Sequence, residues 1–339
     1  MNERSNPAGP PTWGPQQPWS SSAKPGGPPQ WAIIAVALVA VLGVIIGATV
    51  YFTRDASSGD SVAPEPAAAA AGSASSSPTP NPSDFASAAD TGPVGIVTDE
   101  PTCAAWTPVN AALTAAGQNA AAMRTAADQT IALAKQTPHR VVRELYEQTA
   151  AYLTAYADGV AANVPANDNL AQVATSTALA LTSMCEAIGN GSAATRAGLV
   201  PPAAAPTAST PGAVPPVRFL QPPTDPVCGQ WHSLVEKYTA GFASWRGTNQ
   251  TVAAAQWGPA QQRINDAVAP VMVAFADEVE ALGQGTSNGV FQDFATFAGE
   301  YRRAFAAALP TYVPTDGALT RAASAATGAV DSACSATEG

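Results

Sequence analysis

Basic side chains are scarce in this sequence. It has 3 Lys, 12 Arg and 2 His in 339 residues, and its formal net charge is −10. Affinity for phosphate comes from Lys and Arg, so nucleic acid is not an expected partner. Two His cannot build a three-His zinc site. Four Cys in a chain this long are far from a disulfide-dense mini-scaffold. Charged residues make up 12%, about half the usual share of roughly 25%. There is no His-Glu-x-x-His and no Gly-rich phosphate loop. No catalytic residue, cofactor or metal site is therefore expected, and the chain does not read as an enzyme.

What is abundant is Ala (76), Pro (31) and Gly (27). One long apolar run stands out, the 22 residues Trp31–Phe52, which carry no charge. As a helix it would reach about 33 Å, enough to cross a hydrocarbon core of about 30 Å. Trp31 and Tyr51/Phe52 sit at its ends, where amphipathic rings favour the headgroup level. Its length, its 30-residue leader and the absence of a small-x-small cleavage site favour an uncleaved anchor over a signal peptide. All four Cys lie beyond it, which suits an oxidising outer compartment. The expected arrangement is a single-pass plasma-membrane protein with a cytoplasmic N-terminus and a C-terminal ectodomain in the envelope. Gly43 and Gly47 form a GxxxG step, which allows a homodimer through the anchor, although Gly is common in spanning helices.

Composition divides the rest. Residues 1–30 are a Pro/Gly-rich tail and residues 53–97 an Ala/Ser/Pro stalk, both expected to be disordered. Residues 189–224 are a second Pro-rich linker, with Pro pairs at 201–202, 215–216 and 222–223. Between and after them lie two segments, 98–188 and 225–337, that read as copies of one plan. One opens Asp99-Glu100-Pro101-Thr102-Cys103-Ala-Ala-Trp106, the other Thr224-Asp225-Pro226-Val227-Cys228-Gly-Gln-Trp231. An acid followed by Pro marks a helix start. Tyr156-Ala-Asp-Gly-Val160 answers Phe275-Ala-Asp-Glu-Val279, and Leu170 precedes Cys185 by the same 15 residues that separate Leu319 from Cys334. On this alignment the second copy has one extra helix, at Val290–Leu309.

Apolar residues recur at three- and four-residue steps, as in Val142, Leu145, Thr149, Tyr152, Tyr156 and Val160. Such stripes mark amphipathic helices, and Ala adds intrinsic helicity. The expected fold is all-α: two small disulfide-tied bundles outside the membrane, one transmembrane helix, and unstructured Pro-rich tail and linkers. The repeat favours Cys103–Cys185 and Cys228–Cys334, each joining the first turn of a module to its last. In an up-down bundle those turns meet only if the helix count is even. The first segment shows three helices, so its first must break, and Gly117 is the expected point. Pro270 lies inside a helical pattern and is expected to kink it.

Three groups invite a chemical reading. His232 stands four residues from Cys228 and Glu236, but a disulfide removes the thiolate a metal would need. Asp158 and Asp277 hold matched places in the two copies and could pair as acid and base; they read better as solvent-facing residues near the core stripe. Phe291, Phe294, Phe297, Tyr301 and Phe305 read mostly as core. They could also line an apolar groove for a lipid or a partner helix, with Arg302 meeting an anionic group.

The Pro/Gly/Gln/Trp leader, single anchor, Ala/Pro/Ser stalk and Ala-rich ectodomain with Arg far above Lys resemble the proline- and alanine-rich single-pass membrane proteins of actinobacteria, of the mycobacterial type. That resemblance implies an envelope location and carries no catalytic residues. The expected function is a non-enzymatic interaction or accessory module with a protein partner in the envelope. The alternative is a carrier or sensor that binds a lipid or small apolar ligand in a bundle core.

Overall fold

The computed structural model describes residues 94–164, 167–201 and 217–338. The apolar run Trp31–Phe52, Gly43 and Gly47, the tail and nearly all of the stalk lie outside the described residues. Among those described, no helix is long and apolar enough to cross a membrane.

Every regular element among the described residues is a helix, with no strand among them. The first half contains α1 (Cys103–Ala116), α2 (Ala120–Ala134), α3 (Arg140–Ala161) and α4 (Asp168–Gly189). A short α5 (Ser192–Ala197) follows. The second half contains α6 (Cys228–Gly241), a single turn α7 (Ala243–Arg246), α8 (Pro259–Gln284), α9 (Gly289–Ala308) and α10 (Gly317–Glu338). Side chains set several of these starts. Asn119, Asn167 and Asn288 accept backbone N–H groups at the heads of α2, α4 and α9. Pro259 opens α8, where its missing N–H costs nothing.

The reversal expected at Gly117 is present. This residue has φ +52°, a region open chiefly to glycine, and it separates α1 from α2. The first half thus has four main helices, and both disulfides form: Cys103–Cys185 and Cys228–Cys334, each with Cα atoms 5.4 Å apart. Pro270 falls within α8, which continues through it.

Two expectations are corrected. The repeat holds, but in a different register. Gly289 follows Arg140, and Gly317 follows Asp168, by the 149 residues that also separate Cys185 from Cys334. So α9 answers α3 and α10 answers α4, and the helix at Val290–Leu309 is not an addition. Tyr156–Val160 and Phe275–Val279 sit on non-equivalent helices, α3 and α8. The extra length of the second half is in α8, 26 residues against 15 in α2, and in the connection before it.

The second correction concerns the modules. They do not form two bundles. The most extensive helix pair among the described residues is α4 against α10, one from each half. A single apolar core runs through both, and all described residues belong to one unit, Ser77–Gly339. Small side chains are the reason. On α10 a Cβ added at Gly328 would stand 3.7 Å from the Ser176 hydroxyl on α4, and small residues at such a crossing let two backbones approach closely, so each half leaves that face bare until the other covers it.

The parts read as linkers are also partly structural. The last stalk residues enter the core, where Val94 and Val97 are buried. Residues 217–224 form an extended strap, and Leu220 is buried. Within the second half, α8 and α9 cross on glycine. A Cβ on Gly283 would stand 2.7 Å from the Ala295 Cβ, and one on Gly299 would stand 3.2 Å from the Ala276 carbonyl oxygen. Gly283→Val is therefore expected to cost about 1–3 kcal/mol by overpacking, read as a lower midpoint in urea unfolding. An unchanged midpoint would show that the crossing can slide apart.

Candidate functional site

The two halves meet reciprocally. Glu100 accepts from the Thr102 backbone N–H, and Asp225, at the matched place in the second copy, accepts from that of Val227. The extended arm ahead of each such turn is held by the other half. The Val97 N–H donates to the Tyr301 hydroxyl on α9, at 3.2 Å. The Leu220 N–H donates to the Tyr152 hydroxyl on α3, and that hydroxyl donates back to the Leu220 carbonyl. Tyr152 and Tyr301 are equivalent by the 149-residue offset. An exchange in which each copy grips the other's arm is the logic of an isologous dimer, here within one chain.

The strap is secured further. Gln148 donates to the Val217 carbonyl and accepts from the Phe219 N–H. Asn288 donates to the Phe219 carbonyl at 2.6 Å. The Phe219 ring packs edge-on between Tyr152 and Phe294, with centroids 5.9 and 5.4 Å away.

Charge is buried where α3 faces α9. Arg140 donates twice to Asp293, both bonds at 2.7 Å, with side chains 5% and 2% exposed. Glu144, the equivalent of Asp293 by the same offset, hydrogen-bonds to it. Burial first, then the Asp293 charge, pushes the Glu144 carboxyl well above its usual range, against the pull of Arg140. A second cluster joins α8 to α9. Arg303 donates to Asp277, Glu280 and Glu300, and burial pushes the Glu300 carboxyl up to about 7. A carboxyl raised in the folded state contributes stability that is complete below its unfolded value and lost as the pH rises through its folded one. The fold is therefore expected to be more stable at pH 5 than at pH 8, and Glu300→Gln is expected to flatten that slope. Thermal melts across this range check it; a slope that Glu300→Gln leaves unaltered would remove Glu300 as the cause.

The residues singled out in the sequence fall as follows. Phe291, Phe294, Phe297, Tyr301, Phe305 and Arg302 do not line a groove. All are at most 2% exposed, because 16 of the 20 residues of α9 are buried and the helix is enclosed on every side. Asp158 and Asp277 are exposed and lie on separate helices, paired with Arg124 and Arg303. His232 bonds Asp331 at 2.7 Å, and Cys228 is in its disulfide. Sequence reasoning missed Asp293, the pairing of Arg140 and Glu144 with it, and the two tyrosine grips. The offset between Cys185 and Cys334, carried back along the chain, would have paired Glu144 with Asp293 and Tyr152 with Tyr301.

The apolar groove that does open lies elsewhere, between α6 and α8. It holds about 460 Å³ and is lined by Leu234, Tyr238, Val271, Ala274 and Phe275, with the Lys237–Glu278 ion pair on its rim.

Comparison with known proteins places this duplicated bundle. The family model of the mycobacterial ESX-1 associated proteins matches residues 85–120 and 116–338. The chain belongs to that family. It is also 38% identical over 342 residues to an uncharacterised protein of Mycolicibacterium smegmatis (strain MKD8), covering 91% of this chain and 87% of the relative. No solved structure matches it. The family match spans both halves and the strap between them.

Proposed function

We propose that this protein is a non-enzymatic accessory component of a secretion system in the mycobacterial envelope, held by residues 31–52 with its duplicated helical body on the outer side. Membership of the ESX-1 associated family carries the reading. Two disulfides, Cys228–Cys334 buried and Cys103–Cys185 half-buried, support the outer location, since cytosolic thiols are kept reduced. The enclosure of the α9 aromatic stripe, with 16 of the 20 residues of that helix buried, supports a role in contacting other proteins through the surface of the body. Residues 31–52 supply the anchor by their length and apolarity.

Two experiments test this. Thiol labelling of Ser20→Cys and Ser75→Cys with a membrane-impermeant reagent on intact cells tests the topology. Labelling at 75 alone is expected, and labelling at 20 alone would overturn the orientation. Capture of the tagged full chain from detergent-solubilised envelope, with mass spectrometry, tests the role. Enrichment of ESX-1 components is expected; a capture without any of them would sink the accessory reading.

A further inference from the structure

Arg302 is a buried charge without a counterion. The residue is 2% exposed, and burial is what chiefly lowers its pKa. No carboxylate pairs with it among the described residues. Its terminal nitrogens donate to the hydroxyls of Thr320 and Ser324, both at 3.2 Å, and its Nε has no partner. Three rings surround it: its Cζ lies 4.9 Å from the centroid of Tyr238, 5.8 Å from that of Phe242 and 5.7 Å from that of Phe275. Ring faces attract a cation but do not take up the Nε proton. Buried charges are ordinarily paired, so this one is an anomaly to be explained.

The explanation lies next to it. Tyr238 and Phe275, stacked with centroids 3.6 Å apart, are shared between the guanidinium and the groove of α6 and α8. The Tyr238 hydroxyl is also buried without a partner. Two unused donors, one of them cationic, thus stand behind an apolar groove of about 460 Å³, a size within the roughly 300–1,000 Å³ of small-molecule sites. Gly241 of α6 and Ala274 of α8, both small, are among its lining residues.

We propose that this groove binds a long-chain carboxylate, its alkyl tail along Leu234, Val271 and Ala274 and its head on Arg302 Nε and the Tyr238 hydroxyl. The head reaches the guanidinium when the Tyr238 ring turns aside. One free N–H and one hydroxyl suit the two oxygens and single charge of a carboxylate. A phosphomonoester would bring up to two charges and three oxygens to the same two donors. The site is distinct from the aromatic stripe of α9, which the core fills, although it takes its cation from that helix.

Photolabelling of the full chain with a diazirine-bearing palmitate, mapped by mass spectrometry, tests this. The label is expected on residues 234–241 or 270–278. Oleate is expected to compete at least fivefold better than oleyl alcohol, which has the same tail without the charge. Ala274→Trp, a change at an exposed position that fills the groove, is expected to cut labelling at least fivefold, as is Arg302→Met. Unchanged circular dichroism in Ala274→Trp separates loss of the site from loss of the fold. Label confined to other segments, equal competition by the alcohol, or full labelling of the folded Ala274→Trp protein would overturn the proposal.

Discussion

The Cys228→Ala/Cys334→Ala protein is expected to lose about 4 kcal/mol of stability. The bond closes a loop with a sequence separation of 106, and chain-entropy arithmetic places the effect of such a loop at roughly 4–5 kcal/mol. The helix it holds has little else. α6 buries only Cys228, Trp231 and Leu234, and its packing against α8 and α10 is thin beside that of the later helices. Removing the bond frees α6 in the folded state as well as relaxing the unfolded chain. For a body of this size, 4 kcal/mol lowers the melting temperature by roughly 8–16 °C. Denaturant unfolding by circular dichroism gives the global value, and hydrogen exchange is expected to show α6 opening first. A loss under about 1 kcal/mol would mean that Trp231, packed edge-on against Phe291 at 5.2 Å, anchors α6 without covalent help.

Asp293→Ala should be nearly as severe. It leaves the Arg140 guanidinium buried with its partner gone, and breaking a buried pair in this way costs about 3–5 kcal/mol. Glu144 takes over part of the role, because its carboxyl already bonds to Asp293 from the same helix as Arg140. The Asp293 charge is one of the causes that hold the Glu144 carboxyl above its usual range, so without it the part of the pH dependence due to Glu144 is expected to shrink, and the variant's stability should fall less steeply with rising pH than that of the native protein. The double change Arg140→Met/Asp293→Leu removes both charges and keeps the volume, and it is expected to recover most of the loss. The comparison between single and double variants is the decisive measurement. A double variant as unstable as the single one would show that the charges orient α3 against α9, and that packing alone does not.

How much of this was legible beforehand differs from element to element. The helices were, since the three- and four-residue apolar steps of α3 and α4 are a local property and Ala favours helix wherever it stands. The reversal at Gly117 was legible by combining two facts, a bonded Cys pair and an odd helix count. The disulfides followed from the repeated spacing of Leu170 to Cys185 and Leu319 to Cys334. The copy register was misjudged because Tyr156-Ala-Asp and Phe275-Ala-Asp match as words but not as positions. Short matches recur by chance in an Ala-rich chain, whereas a constant offset across two whole helices does not.

The sequence by itself determined that the described body is all helical, built twice over and tied by two covalent bonds. These follow from periodicity, propensity and residue counts, which act over a few turns of chain. Only the tertiary structure decided that the copies share one core, and that each grips the other's arm through Tyr152 and Tyr301. It also closed the α9 stripe and opened the groove beside Arg302. An apolar face states that it must be covered but not by what. Ala-rich faces on α4 and α10 are nearly featureless, and many partners would satisfy them. Which one does depends on the sum of all contacts across the molecule, including a strap whose Pro-rich sequence gives no sign that Phe219 and Leu220 belong inside.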